Sequence, residues 1–363
     1  MERYRVIGLM SGSSLDGLDI ACCTFEKENN RWSFRIEQTD VVVYPDEWIQ
    51  DIKALPISTA KKLWETHATL GTYFGEQVKL FVEKNNLSEV VDFVGSHGHT
   101  IFHFPDKKFT TQIGDGAAIA AMVNLPVVCD FRSADIADGG QGTPIVPIAD
   151  KLLFPDYKYC LNIGGIANIS SKSNETIIAF DICPANQVLN MLANRLGKEY
   201  DKNGAMASGG QVCSELLEKL NAQGYYAKMY PKSLDNSFSR EIILPLLEEH
   251  SISTEDKLCT FTEHIAMQMK QHLYLIETHE GLPKHSGKKM LATGGGAFNS
   301  YLMERIEKVT GITVEVPEPE IVKFKEALAI AFMAVLRMRN EVNVLRSVTG
   351  ATRDSVGGAV YRP

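Results

Sequence analysis

The sequence predicts an α/β protein of two similar domains. Its 363 residues exceed the length that one hydrophobic core usually organises, so two domains are expected. A unit of strand, glycine-containing turn and strand occurs twice, at 4–24 and 157–172, and each copy precedes a third strand and helices. A further glycine cluster at 294–296 stands between a buried strand and a helix. The repetition predicts two related domains that face each other, with the glycine turns lining a cleft between them.

Hydrophobic periodicity predicts the elements of the first half of the chain. Alternating apolar residues and short apolar runs indicate strands, and apolar residues at helical spacing indicate helices. The predicted strands are 4–10, 17–26, 32–43, 90–96 and 126–129. The predicted helices are 58–85, capped by Ser58, and 115–124.

The second half repeats this pattern and adds more helices. The predicted strands are 157–163, 167–172, 176–180 and 289–293. The predicted helices are about 186–196, 208–222, 239–250, 254–279, 298–308 and 323–345. Residues 130–145 are rich in glycine and aspartate, which is typical of an interdomain or active-site loop. We therefore expect an N-terminal domain of 1–129 with 340–363 and a C-terminal domain of 130–339.

Composition and charge exclude several classes of protein. The formal net charge of −8 argues against the basic surface that binds nucleic acid or an acidic membrane. No apolar run approaches the roughly 20 residues that span a bilayer, and the charged N-terminus lacks a secretory signal. The seven cysteines include no C-x-x-C pair, so we expect reduced thiols in a cytoplasmic protein. The alternative is that one of these cysteines is a nucleophile, for which Cys183 is the candidate.

The first glycine turn is predicted to bind phosphate. Serine hydroxyls and freely oriented backbone N–H groups can surround an anion there. Asp16 and Asp19 add carboxylates able to hold Mg²⁺, directly or through water. The candidate phosphate-binding residues of this turn are Ser11, Gly12, Ser13, Ser14, Leu15, Asp16 and Gly17. A serine-rich hairpin turn without a ligand is the alternative.

Two later glycine turns extend the same interpretation. The second turn offers Asn162, Gly164 and Gly165 for phosphate. The third lets the backbone approach a flat ring at the start of a helix, whose N-terminus favours negative charge. Its candidate residues are Gly294, Gly295, Gly296 and Asn299. The chain has neither a G-x-x-x-x-G-K-[ST] loop nor a G-x-G-x-x-G after a strand, so those nucleotide folds are not indicated.

Two phosphate hairpins followed by an adenosine turn resemble the order found in the actin and hexokinase superfamily. The chain also carries longer segments of a specific pattern, namely GLMSGSSLDGLD at 8–19, GSHGHTIFHFP at 95–105, QIGDGA at 112–117, DFRSADIADGGQGTPIVP at 130–147, LNIGGIAN at 161–168, FDICPANQVLN at 180–190, and the stretches 201–210 and 293–299. In these segments it resembles the anhydro-N-acetylmuramic acid kinases along nearly its whole length.

The resemblance implies a ribonuclease H-like two-domain fold with an interdomain cleft, ATP and Mg²⁺ as cofactors, and a homodimer. It also implies a reaction with two coupled parts. ATP phosphorylates the sugar O6 while water opens the 1,6-anhydro bridge at C1, giving N-acetylmuramic acid 6-phosphate and ADP. Opening the bridge makes O6 the nucleophile, while a carboxylate takes a proton from the attacking water.

Asp181 is the candidate general base, since it follows a predicted strand and matches the family's catalytic aspartate. A helix N-cap is the alternative role for this side chain. The resemblance implies that Arg132 and Asp135 position the sugar, with Arg132 facing its lactyl carboxylate in a bidentate fork. An interdomain salt bridge is the alternative for these two residues. Glu326 is a further sugar-binding candidate, or else it compensates a helix dipole.

Polar residues elsewhere complete the predicted sugar site. His97, Thr100 and Asn186 are candidates for substrate contacts. The H-x-H-x₃-H spacing of His97, His99 and His103 also admits a metal site, although no supporting acids lie nearby.

The chain departs from the family pattern beside Asp181, where the family usually reads D-T-G-P-G-N. The positions that differ are Ile182, Cys183 and Ala185, and also Asn190 and Asn203 in place of aspartates and His99 in place of glutamine. These changes leave two rival functions open. One is a kinase of the same fold for another amino sugar or anhydro sugar, and the other is a non-catalytic nucleotide-binding sensor or chaperone-like module.

Overall fold

A computed structural model describes residues 2–12, 15–173, 176–235, 237–281 and 288–363. The strands of these residues are β1 (Glu2–Ser11), β2 (Leu18–Glu28), β3 (Arg31–Val42), β4 (Phe93–Phe104), β5 (Phe109–Ile113), β6 (Val127–Cys129), β7 (Tyr159–Ile163), β8 (Ile166–Lys172), β9 (Ile177–Pro184), β10 (Lys289–Thr293), β11 (Thr313–Glu315) and β12 (Ala359–Tyr361).

The α-helices of the described residues range from single turns to more than six turns. They are α1 (Asp46–Ala54), α2 (Ala60–Lys84), α3 (Gly116–Val123), α4 (Ser133–Ala137), α5 (Pro147–Leu153), α6 (Asn186–Arg195), α7 (Ala205–Gly209), α8 (Ser214–Asn221), α9 (Leu244–Glu248), α10 (Thr254–His279), α11 (Ser300–Thr310), α12 (Pro319–Met338) and α13 (Arg346–Thr349). No helix within the described ranges is long and apolar enough to cross a membrane.

The chain divides into two compact units. Unit 1 comprises the residues up to Phe154 together with Phe324–Pro363, and unit 2 comprises Pro155–Lys323. The compact units change at 154/155 and 323/324, about 25 and 16 residues from the predicted domain boundaries at 129/130 and 339/340. The glycine-rich loop and most of α12 belong to unit 1, where Lys325 forms a buried ion pair with Asp150 at 2.7 Å. The weak hydrophobic periodicity after residue 129 therefore corresponds to a loop within unit 1, not to the end of that unit.

The two units share one strand order, and this confirms the predicted α/β class. In unit 1, β1, β2 and β3 form an antiparallel meander, and β4 and then β6 lie parallel to β1 on its other side. In unit 2, β7, β8 and β9 form the meander, and β10 and β11 extend the sheet in parallel. Each meander begins with a strand–turn–strand hairpin, as the repeated sequence pattern predicts.

Strand β4 is longer than the sequence predicts. The predicted strand ends at Ser96, whereas β4 continues to Phe104 and pairs with β5 in a hairpin. The histidines and threonines of this segment suggest a polar turn in the sequence. In the structure, polar groups bond across the hairpin, for example Gln112 Nε2 to Thr100 Oγ1 at 3.2 Å. Cross-strand pairs of this kind stabilise a sheet that carries polar side chains.

Helix α12 packs directly on strand β1 because position 8 is glycine. A Cβ at Gly8 would overlap the backbone carbonyl oxygen of Ala327 and would lie 3.0 Å from Ala331 Cβ. The backbone atoms on the helix side cannot move aside as a flexible side chain can.

We expect Gly8→Ala to lower the free energy of unfolding by roughly 1–3 kcal/mol, as overpacking of a rigid core does. Chemical denaturation of the variant measures this loss. The matched control is Gly224→Ala, where a Cβ meets no described atom within 4 Å and where the change should stay within about 0.5 kcal/mol. Equal stability of the two variants would contradict the close packing.

Candidate active site

In unit 1, the end of β1 is tied to β4 by a chain of hydrogen bonds. Tyr44 donates its hydroxyl hydrogen to Ser11 Oγ at 2.7 Å, and Ser11 Oγ lies 2.9 Å from His99 Nδ1. Because Ser11 accepts from Tyr44, its own hydrogen points to the imidazole. Burial lowers the pKa of His99 to about 4, so the ring is neutral and can accept this bond. The Ser11 hydroxyl predicted to bind phosphate is therefore already used within unit 1.

The remaining described residues of the first turn are partly fixed by the fold. The Leu15 N–H donates to the Gly12 carbonyl oxygen at 3.2 Å, and the Leu15 side chain is buried in the core of unit 1. A Cβ at Gly17 would lie 2.6 Å from the Val42 carbonyl oxygen, so packing alone requires a glycine there. Ser13 and Ser14 lie outside the described residues. Phosphate binding by this turn stays a prediction.

Three carboxylates of unit 1 influence one another beside this turn. Burial and the charges of Asp16 and Glu326 together raise the pKa of Asp19 to about 7. A bound cation would relieve this repulsion, and carboxylate oxygens are the donors that Mg²⁺ prefers. Among the described residues, no three metal-ligating side chains lie close enough to form a complete site. The donor set thus fits a hydrated Mg²⁺ that takes its other ligands from water and phosphate.

Arg132 is held in a fixed orientation by His97. Arg132 donates from Nε and Nη2 to His97 Nε2 at 3.0 and 2.8 Å, and from Nη1 to the Gly142 carbonyl oxygen at 2.6 Å. His97 Nδ1 lies 2.9 Å from the Gly98 carbonyl oxygen, which can only accept, so Nε2 carries the lone pair. Burial, reinforced by the charge of Arg132, lowers the pKa of His97 to about 3. Both ring nitrogens are engaged, which fits the orientation of Arg132 rather than ligation of a metal.

Asp135 is buried and uses both carboxylate oxygens inside unit 1. Its Oδ2 accepts from the Gly142 N–H at 2.8 Å, and its Oδ1 accepts from the Thr349 hydroxyl at 2.7 Å. Only 1% of the residue is exposed. These bonds fasten the loop that carries Arg132 to the C-terminal part of the chain. Both carboxylate oxygens of Asp135 are therefore already engaged, which does not support the predicted direct contact with the sugar.

The other candidates of unit 1 lie on β4 and α12. Thr100 is half-buried in the β4–β5 hairpin, where its hydroxyl oxygen accepts from Gln112. Glu326 is exposed and follows a break in the helical geometry of α12 at Phe324, which has φ −108° and ψ 15°. It therefore stands in the first turn after the break, so both of its proposed roles remain open. Gln112, which bonds Thr100, lies in the QIGDGA segment at 112–117, whereas Tyr44, which bonds Ser11, carries no motif that would have identified it in the sequence.

In unit 2, the second glycine turn lies against the N-terminus of α6. The N–H groups of Ala185 and Gln187 donate to the Gly165 carbonyl oxygen at 2.8 and 3.2 Å. The Asn186 N–H donates to the Gly164 carbonyl oxygen at 3.1 Å. These bonds satisfy backbone groups that a helix start leaves open, and they hold the turn rigidly.

The third glycine cluster converges on the same place. A Cβ at Gly294 would lie 2.7 Å from Asn162 Oδ1 and 2.8 Å from the Ile163 carbonyl oxygen, and a Cβ at Gly296 would overlap Ile163 Cγ2. Asn186 Nδ2 donates to the Ile163 carbonyl oxygen at 3.3 Å. The predicted phosphate turn, the predicted adenosine turn and Asn186 are therefore neighbours within unit 2.

Asn299, predicted to bind adenosine, caps helix α11. Its Oδ1 accepts from the Leu302 N–H at 3.0 Å, so the side-chain oxygen is used by the helix. Gly204 packs so closely on this side chain that a Cβ there would overlap Asn299 Oδ1. Asn203, one of the departures from the family pattern, has a left-handed φ of 59°, which asparagine adopts more readily than most residues.

Asp181 lies within β9, the edge strand of the unit 2 sheet. The strand continues to Pro184 and the N-cap of α6 is Ala185, so the predicted strand end at Phe180 and the alternative role of Asp181 as N-cap are wrong. The Leu234 N–H donates to Asp181 Oδ2 at 2.9 Å. No other described residue donates to this carboxylate, which leaves Oδ1 available. Burial raises the pKa of Asp181, and the Leu234 N–H partly opposes this shift.

A family model described as anhydro-N-acetylmuramic acid kinase matches residues 4–363. The chain belongs to the anhydro-N-acetylmuramic acid kinase family. Anhydro-N-acetylmuramic acid kinases of Pasteurella multocida and Sulfurovum sp. are 34% and 31% identical to it, over 98% and 99% of this chain and 96% and 100% of theirs. The family assignment confirms the resemblance to the anhydro-N-acetylmuramic acid kinases, and the chain is accordingly a carbohydrate kinase.

A solved structure resembles the chain more distantly. It is the activator of the 2-hydroxyisocaproyl-CoA dehydratase from Clostridium difficile with bound ADPNP. Its sequence is 12% identical, the match covers 93% of this chain and 96% of that one, and the TM-score is 0.44.

The departures from the anhydro-N-acetylmuramic acid kinase pattern beside Asp181 are absorbed by the core of unit 2. Ile182, Cys183 and Ala185 are each 0% exposed. The φ of Ala185 is −134°, outside the left-handed region that would demand glycine. Burial raises the pKa of Cys183 above its usual range, so it lacks the thiolate character of a nucleophile. The changed side chains therefore leave the exposed part of Asp181 unaltered.

Proposed function

We propose that this chain is an ATP-dependent kinase that opens the 1,6-anhydro bridge of anhydro-N-acetylmuramic acid and phosphorylates O6, giving N-acetylmuramic acid 6-phosphate and ADP. The observation that carries the proposal is the geometry of Asp181. One carboxylate oxygen is fixed by a backbone N–H and the other is available. The raised pKa makes the ionised carboxylate a stronger base than a solvated aspartate. A nucleotide-binding module without catalysis has no need of such a group.

In the proposed reaction, Asp181 Oδ1 accepts a proton from the water that attacks C1. The C1–O6 bond of the anhydro bridge breaks, and O6 takes its electron pair. O6 then forms a bond to the γ-phosphorus of ATP, and the bond to the β,γ-bridging oxygen breaks to release ADP. General-base assistance at one such group contributes roughly 10²–10⁴-fold. Alignment of the reactants supplies a further large part of the acceleration.

Two glycines of unit 2 support nucleotide binding because the fold itself does not require them. A Cβ at Gly164 would have Ile166 O at 3.8 Å and Asn162 Nδ2 at 4.0 Å as its nearest described atoms. A Cβ at Gly295 would have only Asn186 Nδ2 within 4 Å, at 3.8 Å. Neither residue has a left-handed φ. Glycine at such positions is expected where a ligand approaches the backbone closely, so we assign Gly164 to phosphate and Gly295 to adenosine.

We expect Gly164→Val to raise the KM for ATP about tenfold while the melting temperature stays within about 2 °C of wild type, since the added side chain meets only the ligand. Steady-state kinetics with varied ATP and a thermal melt measure the two quantities. Gly224→Val is the matched control for added volume at an open glycine. A large fall in melting temperature for Gly164→Val would show that the fold, and no ligand, requires this glycine.

For the sugar, we propose that Arg132 binds the lactyl carboxylate. Three of its five N–H donors bond to His97 and Gly142, which leaves two, one on each Nη. Burial lowers its pKa to about 10, so it remains a cation at neutral pH. We propose that Asp135 positions the loop of Arg132, that His97, Thr100 and Glu326 are the sugar-binding candidates of unit 1, and that Asn186 is the candidate of unit 2.

Asp16 and Asp19 are the residues that would hold Mg²⁺, through its water ligands. When bound, the ion neutralises charge on the transferring phosphoryl group. The shared repulsion that raises the pKa of Asp19 is the feature of this chain that favours a cation there.

The test of the proposed function is release of ADP with 1,6-anhydro-N-acetylmuramic acid, ATP and Mg²⁺. We expect turnover that depends on the sugar and a product that carries phosphate on O6 by NMR. Parallel reactions contain N-acetylmuramic acid, which lacks the anhydro bridge, and 1,6-anhydro-N-acetylglucosamine, which lacks the lactyl group. Faster turnover of either analogue than of the proposed substrate would overturn the assignment.

A further inference from the structure

The edge of the unit 2 sheet at β9 is covered by a segment that contacts Asp181 at three points. The Tyr225 hydroxyl donates to the Asp181 carbonyl oxygen at 2.7 Å, and the Asp181 N–H donates to the Lys232 carbonyl oxygen at 3.3 Å. The Leu234 N–H then bonds the carboxylate itself at 2.9 Å. All three partners belong to residues 225–234, which we call the covering segment. The Leu234 N–H can fix the Asp181 carboxylate only if the covering segment, which carries this N–H, is itself held in place.

The covering segment is fastened to helix α10 through the side chain of Lys232. Lys232 Nζ donates to the Tyr225 carbonyl oxygen at 3.2 Å and to His272 Nε2 at 2.7 Å. The same ammonium group lies 4.5 Å from the centroid of the Tyr225 ring, which adds a cation–π contact. One side chain therefore joins both ends of the covering segment to the helix.

His272 is a suitable acceptor for the hydrogen bond from Lys232. It is 1% exposed, and its Nδ1 lies 2.7 Å from the Gln268 carbonyl oxygen one helical turn earlier. Because a carbonyl oxygen can only accept, Nδ1 carries the hydrogen and Nε2 presents its lone pair to Lys232. Burial, reinforced by the charge of Lys232, lowers the pKa of His272 to about 4. The imidazole is therefore neutral at physiological pH, as an acceptor must be.

We propose that Lys232 and His272 are positioning residues for Asp181: their bond holds the covering segment so that the Leu234 N–H fixes Oδ2 and leaves Oδ1 directed to the water that attacks the sugar. The inference rests on the proposed function, because it takes Asp181 as the general base. It adds two residues that belong to none of the sequence segments typical of the family. Neither residue is required to touch the sugar or the nucleotide.

The positioning role has a consequence that a purely structural role lacks. A hydrogen bond from an N–H to the ionised carboxylate lowers the pKa of Asp181. If the Leu234 N–H shifts while Asp181 stays buried, this bond weakens and the pKa of Asp181 rises. The titratable groups that act on Lys232 are His272, Cys183 and Lys228, and the first two are neutral at pH 7.

The test uses Lys232→Met, which keeps the aliphatic stem over Tyr225 and removes the ammonium group. We expect kcat to fall about tenfold while the KM values for ATP and sugar change less than about threefold, as misplacement of a reacting group produces. The acid limb of the pH profile of kcat/KM should move to higher pH. His272→Leu should reproduce these effects, and His272→Gln, which retains an acceptor, should restore most of kcat. Lys270→Met, on the exposed face of α10, is the matched control.

A measurement without turnover separates this inference from the proposed function. The ¹³C shift of the Asp181 carboxyl carbon, titrated in the full-length protein, should report a higher pKa in Lys232→Met than in wild type. An unchanged pKa of Asp181 in a folded Lys232→Met protein would overturn the positioning role, whatever the activity. If the pKa of Asp181 is higher in Lys232→Met than in wild type but the wild-type protein shows no sugar-dependent ADP release, the positioning role is supported and the proposed function is overturned. Equal loss in Lys232→Met and in the double variant with His272→Leu would show that the two residues act as one unit.

Discussion

Asp181→Asn is expected to lower kcat by roughly 10²–10⁴-fold, because the amide cannot accept the proton that the carboxylate takes from water. The substitution preserves shape, and the Asn side-chain oxygen can still accept the Leu234 N–H. The KM for ATP should therefore remain within about threefold of the wild-type value. ADP release under saturating sugar and ATP measures the effect. Asp235→Asn, an exposed carboxylate in the adjoining loop, is the matched control and should keep wild-type turnover.

The same substitution should make the protein more stable at alkaline pH. Burial raises the pKa of Asp181 in the folded state above its unfolded value. The proton is therefore bound more tightly by the folded protein, and the stability it contributes is present at low pH and lost as the pH rises through the folded pKa. Asn carries no such charge. A melting temperature of Asp181→Asn that exceeds wild type at pH 8, with a smaller difference at pH 4, is the expected result.

Unchanged turnover of the Asp181→Asn variant in the ADP-release assay would exclude Asp181 as the general base.

Sequence analysis predicts those parts of the site where packing of the fold does not explain the residue type. Gly164 and Gly295 are examples, since the fold would accept a side chain at either position. The strand–turn–strand repeat is visible for a related reason. Two strand–turn–strand hairpins, each followed by a third strand, leave a pattern of apolar runs and glycines that does not depend on tertiary contacts.

The support of Asp181 could not be predicted from sequence. Its partners Tyr225 and Leu234 are 44 and 53 positions away, and Leu234 acts through a backbone N–H that every residue except proline possesses. The difference between the predicted domain boundary and the edge of unit 1 has a comparable cause. Asp135 and Thr349 are 214 positions apart, and their hydrogen bond fastens the glycine-rich loop to unit 1 although its sequence is typical of a linker.

Arg132→Lys is the second substitution with a large expected effect. It keeps the positive charge but loses the planar fork that can bind a carboxylate with two parallel hydrogen bonds. Hydrogen bonds to charged groups contribute about 1.5–3 kcal/mol, so the KM for the sugar should rise by roughly tenfold to a hundredfold. The kcat should change less, because the lactyl carboxylate is bound equally before and during the reaction. Arg353→Lys, at an exposed ion pair of unit 1 with Asp138, controls for the exchange itself.

The analogue without a lactyl group turns this prediction into a double-mutant cycle between protein and substrate. If Arg132 binds the carboxylate, 1,6-anhydro-N-acetylglucosamine should bind wild type about as weakly as the full substrate binds Arg132→Lys. The same analogue should be nearly insensitive to the substitution, since the interacting group is already missing. Arg132→Lys could instead weaken the binding of both sugars equally. The guanidinium would then contact a group that both sugars contain, or act indirectly through its bond to the loop at Gly142. A thermal melt then separates these cases, because a loosened loop lowers the melting temperature and a lost sugar contact does not.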